Sequence, residues 1–487
     1  MNPVSEPPQV VRGRPVGTPA TGPVPTAFAR GATGGWAPLP WSMAGVLFAV
    51  YAAVSVRAQQ RMLTSGFDLG IFEQTVRSWA HGQLPLVELK GPGFPELGDH
   101  FSPILATLAP FYRIWPSPYL LLLAQAALLA LAVVPLAGWA LRALGPPAAW
   151  TVGLGCGLSW GIASAVGFDF HEVAFAVPLV ACSLSALGRG RLRAAALWAL
   201  PLLLVKEDLG LTVAVIGLLI ALRGRRRWGL ATACAGIAGT LLEVLVVIPA
   251  FNPAGHYSYA DQVGEASGGL AQVVHRGAVG LVSAPEPKAI TLVLLFAPTA
   301  FLALRSVLVW AAAPTLLWRF ASDNPLYWTT GFQYSAVLMP IVFAAFVDSL
   351  VRRPVDHRTR RHLLTATAAV TVLLLPQFPL FQLALPRTWH TAPRVAAARA
   401  IMRLIPDGAT VAATNQIVPQ LTNRCTVGEF GLPGSRPDPQ WIMVDTAAPP
   451  GWSISPSQRA RQLDRARAHG YRTAARAGGY LLLHHHA

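Results

Sequence analysis

The sequence YLLLLAQAALLALAVVPLAGWAL, residues 119–141, contains no charged side chain from one end to the other. An α-helix rises about 1.5 Å per residue, so this segment is long enough to cross a hydrocarbon core of about 30 Å. A helix suits lipid because it satisfies its own backbone hydrogen bonds. The segment therefore predicts a membrane-spanning helix.

Similar apolar segments recur along the chain, separated by short clusters of Arg, Pro and Gly. Of the 487 residues, 53% are hydrophobic and 12% are charged, whereas soluble domains carry about a quarter charged residues. This composition excludes a soluble enzyme and predicts an all-α polytopic membrane domain with about eleven spans. The predicted spans are 41–57, 119–141, 148–167, 173–188, 193–207, 209–222, 228–250, 289–304, 306–318, 334–351 and 362–385.

Arginines cluster in alternate loops between these spans. With the N-terminus in the cytoplasm, the predicted inner loops hold Arg142, Arg189, Arg191, Arg193, Arg223, Arg225, Arg226, Arg227, Arg305 and the segment 352–361. This is the distribution that the positive-inside rule describes. The formal net charge of +16 therefore indicates membrane topology and not nucleic-acid binding, since no single domain carries it. We predict an integral plasma-membrane protein whose N-terminus is cytoplasmic and whose C-terminus is extracytoplasmic.

Composition divides the chain into three parts. Residues 1–40 are rich in Pro, Gly, Thr and Ala and predict a disordered cytoplasmic tail. Residues 41–385 form the membrane domain, which includes a large outer loop at 58–118. From residue 386 to 487 the composition is that of a soluble protein, and short apolar runs alternate with helical segments. They predict a small α/β domain outside the membrane.

The outer loop contains two segments with structure of their own. Residues 70–79 have helical amphipathic spacing and are expected to lie flat at the membrane interface. Residues 101–115 are apolar but contain Pro103 and Pro110, which favours an interfacial or re-entrant helix over a full span. A full span there would invert every later loop and spoil the arginine pattern.

Four short clusters combine acidic residues with His, Lys, Gly or Phe at the predicted outer ends of spans. They are Gly66-Phe67-Asp68-Leu69-Gly70, Gly98-Asp99-His100-Phe101-Ser102-Pro103, Phe168-Asp169-Phe170-His171-Glu172 and Lys206-Glu207-Asp208-Leu209-Gly210. Such side chains at a membrane boundary can provide a general base, a hard-metal site, or donors and acceptors for a sugar. They can also be charges solvated at span ends, and the Lys206 cluster can be an internal ion pair. If they act together, Asp68, Asp99, His100, His171, Glu207 and Asp208 should meet in one outward cavity.

Two further charged residues have alternative interpretations. Arg319 follows Trp318, and its guanidinium could bind a phosphate in bidentate geometry or contact a lipid headgroup. Glu243 lies within a predicted span, so it should face protein or a cavity, either as an ion-path residue or as a packed, protonated one.

The four clusters, in this order, resemble the membrane family catalogued as domain of unknown function 2079 (DUF2079), over roughly residues 45–430. That family is similar to the family C (GT-C) glycosyltransferases, polytopic enzymes that take sugars from polyprenyl-phosphate donors. The resemblance implies a catalytic or metal-linked acid in the large first outer loop, where Asp68 stands. It also implies a polyprenyl-phosphate sugar donor, a glycan, lipid or protein acceptor, and a divalent metal as a candidate cofactor.

The leading hypothesis is an inverting glycosyltransferase in which Asp68 removes a proton from an acceptor hydroxyl or positions a metal. The candidate substrate-binding residues are Asp99, His100, Asp169, His171, Glu172, Lys206, Glu207, Asp208 and Arg319. A transporter or flippase is the alternative, with Glu243 and Lys206 along the path. A noncatalytic scaffold that binds a lipid or glycan is the third hypothesis.

The predicted topology can be tested by cysteine labelling. In intact cells, a membrane-impermeant maleimide should label an Asp261→Cys variant, because residue 261 is expected outside. An Arg358→Cys variant should react only after permeabilisation, and the parent chain supplies the background from its native cysteines. Labelling of Asp261→Cys only in permeabilised cells would contradict the topology.

Overall fold

The structure is a computed structural model that describes residues 34–259, 270–448 and 454–485. Most of the predicted tail, residues 1–40, and Asp261 of the predicted outer loop lie outside the described residues. The first long helix begins at Leu39, close to the predicted boundary.

Helices dominate the chain up to residue 402, and one large apolar core joins those of the membrane domain. Their bounds are Leu39–Gln60, Ile71–Ala80, Ala109–Ile114, Pro118–Leu131, Val133–Leu144, Pro146–Gly157, Trp160–Gly167, Val173–Gly188, Leu192–Ala199, Leu209–Leu222, Arg226–Leu242, Ile248–Phe251, Leu270–Val282, Pro285–Phe296, Ala313–Ala321, Pro325–Trp328, Leu338–Arg352, His357–Leu374, Pro386–Trp389 and Pro393–Met402. Short 3₁₀ or π turns join several of them into longer rods, because proline or a local strain interrupts the regular hydrogen bonds.

Three described helices are long and apolar enough to cross a membrane: Leu39–Gln60, Pro118–Leu144 and Arg226–Phe251. The number rises to five if each of two bent helix pairs counts as one span. Four of the other predicted spans coincide with shorter apolar helices: Val173–Gly188, Leu192–Leu204, Leu209–Leu222 and Val307–Ala321. The protein is thus a mostly helical integral membrane protein, and the count of about eleven spans stays a prediction.

The large outer loop is folded against the C-terminal part of the chain. Its helix Ile71–Ala80 matches the predicted amphipathic segment, and Gln74 Nε2 donates to the carbonyl of Val427 (2.7 Å). Apolar side chains of the loop, including Ile71 and Leu89, share one buried core with those of the C-terminal sheet. This helix therefore buries one face against protein, a contact that its amphipathic pattern alone did not reveal.

The segment 101–115 is divided into a 3₁₀ turn, Pro103–Leu108, and a short helix, Ala109–Ile114. Neither is long enough to span a bilayer. The short helix packs on the loop helix, where the hydroxyl of Tyr112 donates to the carboxylate of Glu73 (2.9 Å).

A five-stranded sheet ends the chain and confirms the predicted C-terminal α/β unit. Its strands are β1 (Thr410–Ala413), β2 (Thr426–Glu429), β3 (Trp441–Asp445), β4 (Tyr471–Ala477) and β5 (Tyr480–His485). The order is β2-β1-β3-β5-β4, with β2, β1 and β3 parallel and β5 antiparallel to both β3 and β4. The helix Pro456–Ala468 leads into β4. Strand β4 escaped the sequence analysis because most of its side chains are exposed, which removes the apolar signal.

Glycines bring the helices Leu209–Leu222 and Arg226–Leu242 into backbone contact. A Cβ atom on Gly217 would lie 2.4 Å from the backbone nitrogen of Ala233, and one on Gly210 would lie 2.3 Å from the hydroxyl of Thr240. Small residues permit such close packing between membrane helices. The same hydroxyl donates to the carbonyl of Glu207 (2.8 Å), so this helix pair also holds the Lys206 cluster in place.

A Gly217→Val substitution should lower the melting temperature of the purified protein by several degrees. Overpacking of this kind costs about 1–3 kcal/mol, because the two backbones must separate. Gly45→Val is the matched control, since its Cβ would have no neighbour within 4 Å. Equal melting temperatures for the two variants would show that the backbone contact does not stabilise the fold.

Candidate functional site

A cavity of about 600 Å³ lies at the end of the helical domain that carries the C-terminal sheet. Ionisable side chains from all four sequence clusters surround it, together with Lys90 and Glu96 of the outer loop. Its ionisable lining consists of Asp68, Lys90, Glu96, His100, His171, Lys206, Glu207 and Asp208. Aromatic side chains such as Tyr257, Tyr259 and Trp318 form a second wall, and Leu211, Val244 and Leu326 contribute an apolar one.

Asp68 lies on the short turn Gly66–Gly70 between the first long helix and the loop helix. Its φ angle is +112°, a conformation that is unfavourable for a residue with a side chain and typically costs about 1–3 kcal/mol. The Asp68 side chain retains 24% of its accessible surface and faces the cavity. Strain of this kind persists only where surrounding contacts impose it.

The contacts that impose it come from the C-terminal unit. Just after β1, the side-chain oxygen of Asn415 accepts hydrogen bonds from the backbone N–H groups of Gly66 (2.8 Å) and Phe67 (3.2 Å). The backbone carbonyl of Asn415 accepts a further bond from Gly66 (3.0 Å). Val418 packs so closely that a Cβ on Gly66 would lie 2.8 Å from it, which explains the glycine there.

A second clamp on this turn comes from Asp169. One of its carboxylate oxygens accepts a hydrogen bond from the backbone N–H of Ser65 (2.7 Å). Asp169 is buried and does not line the cavity. The structure thus places Asp169 behind the Asp68 turn, where it supports the turn instead of touching a ligand.

A chain of contacts extends from Asp68 through His171 and Glu172 to Lys206. Nε2 of His171 lies 3.7 Å from the Asp68 carboxylate, and its Nδ1 lies 2.7 Å from Glu172. Glu172 also contacts the ammonium of Lys206 at 3.0 Å. Burial alone would raise the pKa of Glu172, but His171 and Lys206 outweigh it and hold that pKa well below the usual range. Lys206 therefore forms an internal ion pair, the alternative considered for its cluster, and its partner is Glu172.

The pKa of Asp68 is shifted in the opposite direction. Burial, together with the negative charge of Glu172, raises the pKa of Asp68 from 3.8 to about 8, and Lys206 and Lys90 only partly offset this. Burial also lowers the pKa of His171, so its imidazole is favoured in the neutral form. A carboxyl group with a raised pKa beside a neutral imidazole is suited to proton transfer near neutral pH.

A second charged group joins the outer loop to the Lys206 cluster. Lys90 forms ion pairs with Asp99 and with Glu96 (3.8 Å). His100 lies 3.5 Å from Asp99 and 2.9 Å from the carboxylate of Glu207. Glu207 and Asp99 raise the pKa of His100 although burial and Lys206 lower it. Asp99 does not line the cavity, yet it holds Lys90 and His100, which do.

Aromatic donors orient the carboxylates of the Lys206 cluster. The hydroxyl of Tyr257 donates to Glu207 (2.9 Å), and the indole N–H of Trp318 donates to Asp208 (2.8 Å). Burial raises the pKa of Asp208 to about 6. The second oxygen of Asp208 is buried and has no hydrogen-bond partner among the described residues.

Arg319 does not occupy the position that its sequence context suggested. Its side chain is fully buried, and it donates to the carbonyls of Tyr327 (2.6 Å), Tyr334 (3.1 Å) and Thr329 (3.3 Å). The guanidinium is therefore occupied by backbone oxygens and lies outside the cavity lining. This arrangement corrects the phosphate-ligand prediction: Arg319 holds the loop 327–334, from which Tyr327 and Tyr334 also line the cavity.

Three residues that matter to this geometry were not identified from the sequence: Lys90, Glu96 and Asn415. Each lies in an irregular segment with no periodic pattern. Asn415 acts on Gly66, 349 residues away in sequence, whereas Lys90 and Glu96 pair within the outer loop. A lysine and a glutamate among the glycines and prolines of 85–98 were the only available signal. In the described ranges, no three His, Cys, Asp or Glu side chains are arranged to hold a metal ion, and the divalent metal stays a prediction.

The whole chain has structural relatives of low sequence identity. The crystal structure of ArnT from Cupriavidus metallidurans bound to undecaprenyl phosphate matches with a TM-score of 0.54 and 13% identity, over 93% of this chain and 98% of that one. The apo state of the same protein matches with a TM-score of 0.54 and 14% identity, over 92% and 97%. At this identity the likeness concerns the fold, and it agrees with the GT-C-like fold that the four motifs implied.

No curated protein matches the chain. Residues 58–482 match the family model described as predicted membrane protein (DUF2079). This range includes all four motifs, the cavity and all of the C-terminal sheet except the last three residues of β5. The chain therefore belongs to the DUF2079 family of membrane proteins.

Proposed function

We propose that the protein is a membrane glycosyltransferase that takes a sugar from a polyprenyl-phosphate donor at the outer face of the membrane. The observation that carries this proposal is the position of Asp68. Its backbone is strained, and its partly exposed carboxyl group faces a cavity that combines cationic, aromatic and apolar walls. The ArnT fold likeness supports it, since that protein was crystallised with undecaprenyl phosphate.

Asp68 acts as the general base in this proposal. Its carboxylate takes the proton of an acceptor hydroxyl while the acceptor oxygen bonds to the anomeric carbon of the sugar. The bond from that carbon to the phosphate oxygen breaks, and the polyprenyl phosphate leaves with the electron pair. Attack opposite to the leaving group inverts the anomeric centre.

Cationic groups in the same cavity suit the phosphate. Lys206 and Lys90 both line the cavity. Each ammonium has a carboxylate as its partner, Glu172 for Lys206 and Asp99 for Lys90. Glu172 and Glu207 raise the pKa of Lys206 although burial lowers it, so the ammonium stays charged. Fixed positive charge in a site with little water stabilises the charge that develops on a leaving phosphate.

The remaining walls suit the other parts of the donor. Trp318, Tyr257 and Tyr259 offer ring faces on which a sugar can stack. Leu211 and Val244 lie on the two helices whose outward faces carry exposed leucines, including Leu241 and Leu242. A lipid chain can therefore approach between protein and bilayer while its headgroup enters the cavity.

Asp68→Asn should lower transfer from a polyprenyl-phosphate sugar by roughly 10² to 10⁴, the usual range for removal of a general base. The purified protein should still bind the donor. For the wild type, the rate should fall about tenfold per pH unit below pH 8, because the base is then protonated. Asp464→Asn, which changes an exposed carboxylate of the C-terminal unit, serves as the control. Chelation with EDTA in the same assay tests the divalent metal.

Thermal stability separates this role from a structural one. The folded protein holds the Asp68 proton more tightly than the unfolded chain, so this group costs stability as pH rises from about 4 to 8. Asp68→Asn should therefore keep or raise the melting temperature at pH 8. Retained transfer in a folded variant would remove Asp68 from the mechanism. If the wild type transfers no sugar from any donor in a panel, the transporter and scaffold hypotheses gain, and uptake into proteoliposomes distinguishes them.

Asn415 is a positioning residue in this proposal, and its effect can be measured without a substrate. Asn415→Ala removes the side-chain acceptor that the Gly66 and Phe67 amides share and leaves only the backbone carbonyl for Gly66, so hydrogen exchange in a peptide covering 63–70 should accelerate roughly tenfold. In the transfer assay kcat should fall by up to about 10²-fold with little change in KM. Asn415→Asp, which keeps an acceptor oxygen, should restore protection, and Asn423→Ala is the control. Unchanged exchange in Asn415→Ala would contradict this role.

A further inference from the structure

A second polar pocket, of about 240 Å³, lies far from the cavity described above. Four arginines line it: Arg223, Arg305, Arg352 and Arg353. The lining contains a single carboxylate, that of Asp348. The residues come from three separate segments of the chain, which the fold brings together.

The helices that connect the two sites place them at opposite ends of the membrane domain. Helix Leu209–Leu222 begins directly after Asp208, which lines the cavity, and ends directly before Arg223 of the pocket. At about 1.5 Å per residue, a helix of this length separates its ends by about 20 Å. Helix Leu338–Arg352 likewise begins near Tyr334 and ends in the pocket. The pocket therefore lies on the face that the arginine distribution predicts to be cytoplasmic.

Asp348 gives the pocket a defined shape. Its side chain is 2% exposed and accepts hydrogen bonds from Nε of Arg352 (2.7 Å) and from the hydroxyl of Ser306 (2.7 Å). Arg223 contacts the same carboxylate at 3.3 Å and also donates to the carbonyl of Leu187 (2.9 Å). Two of the four guanidinium groups are thus held in fixed positions by one buried acid.

The other two arginines have no such partner. Within the described part of the chain, the side chains of Arg305 and Arg353 form no ion pair or hydrogen bond with another residue, and both are exposed at the rim. Four positive charges against one negative charge leave the pocket with a net charge of +3. Several guanidinium groups converging on one space match the oxygens of a phosphate group.

Three exposed apolar side chains flank the pocket. Leu222 is 82% exposed, Leu304 is 51% exposed and Val307 is 50% exposed, and each is next in sequence to an arginine or serine of the pocket. In a membrane protein such side chains contact acyl chains. A ligand with an anionic head beside an acyl chain therefore complements both parts of this surface, which a free anion does not.

We propose that this pocket binds the phosphate-bearing headgroup of an anionic phospholipid in the leaflet opposite the catalytic cavity. Arg223 and Arg352, oriented by Asp348, form the floor of the site, and Arg305 and Arg353 close over the phosphate from the rim. Basic pockets between helices on the cytoplasmic side are a recurring way of binding such headgroups. The site is independent of the proposed transferase activity.

The test is the melting temperature of the full chain in nanodiscs of defined composition. Nanodiscs that contain phosphatidylglycerol should raise it, relative to phosphatidylethanolamine alone, by on the order of 5 °C, as expected for a ligand well above its Kd. The double variant Arg305→Gln/Arg353→Gln should lose this increase while melting like the wild type in phosphatidylethanolamine, because neither side chain supports the fold. The control is Arg358→Gln/Arg361→Gln, which removes the same charge from exposed positions outside the pocket and should keep the increase.

A further measurement distinguishes the lipid from a free anion. Inorganic phosphate added in phosphatidylethanolamine nanodiscs should give no comparable shift, because it lacks the acyl contacts. A full shift with millimolar phosphate would overturn the lipid assignment. Equal melting temperatures of the wild type in the two lipid compositions, or equal losses in the pocket and control variants, would overturn the site.

Discussion

The buried ion pair between Glu172 and Lys206, 3.0 Å apart, is the contact around which the candidate site is organised. Taking either charge out of water alone costs several kcal/mol, so each requires the other and further hydrogen bonds. Glu172 finds its second partner in His171, and Lys206 brings Glu207 and Asp208 to the same place. Because these residues precede or follow membrane helices, the pair fixes how those helix ends approach one another.

The same constraint explains why Asp68 differs from its neighbours. The available positive charges are already paired with Glu172, Asp99 and Glu207, so burial and the nearby Glu172 dominate at Asp68 and raise its pKa. The strained turn that carries it is held by Asn415 and Asp169. Asp68 thus combines a raised pKa and a strained backbone with only the 3.7 Å contact to His171 as an ion-pair partner among the described residues.

The C-terminal unit supports the site through its contacts with the outer loop and the Asp68 turn. It shares a buried core with the outer loop, and Arg436 also pairs with Glu88 of that loop at 2.6 Å. At the other end of the same helices, Asp348 gathers arginines in a pocket of opposite character. The membrane domain thus separates a site of mixed charge with aromatic walls at one end from a basic pocket at the other.

The sequence by itself determined the membrane class, the positions of most long helices, the C-terminal sheet and the four motifs. The length of an apolar segment, the spacing of arginines and a local cluster of charge are all properties of contiguous residues, so they can be read directly from a sequence. Only the tertiary structure decided which charges pair. Arg319 turned out to bind carbonyls of its own loop, while Lys90 and Asn415 joined the site from irregular segments. Their roles depend on partners up to several hundred residues away, because the energy of a buried charge or hydrogen bond is set by what the fold places within about 3–4 Å of it.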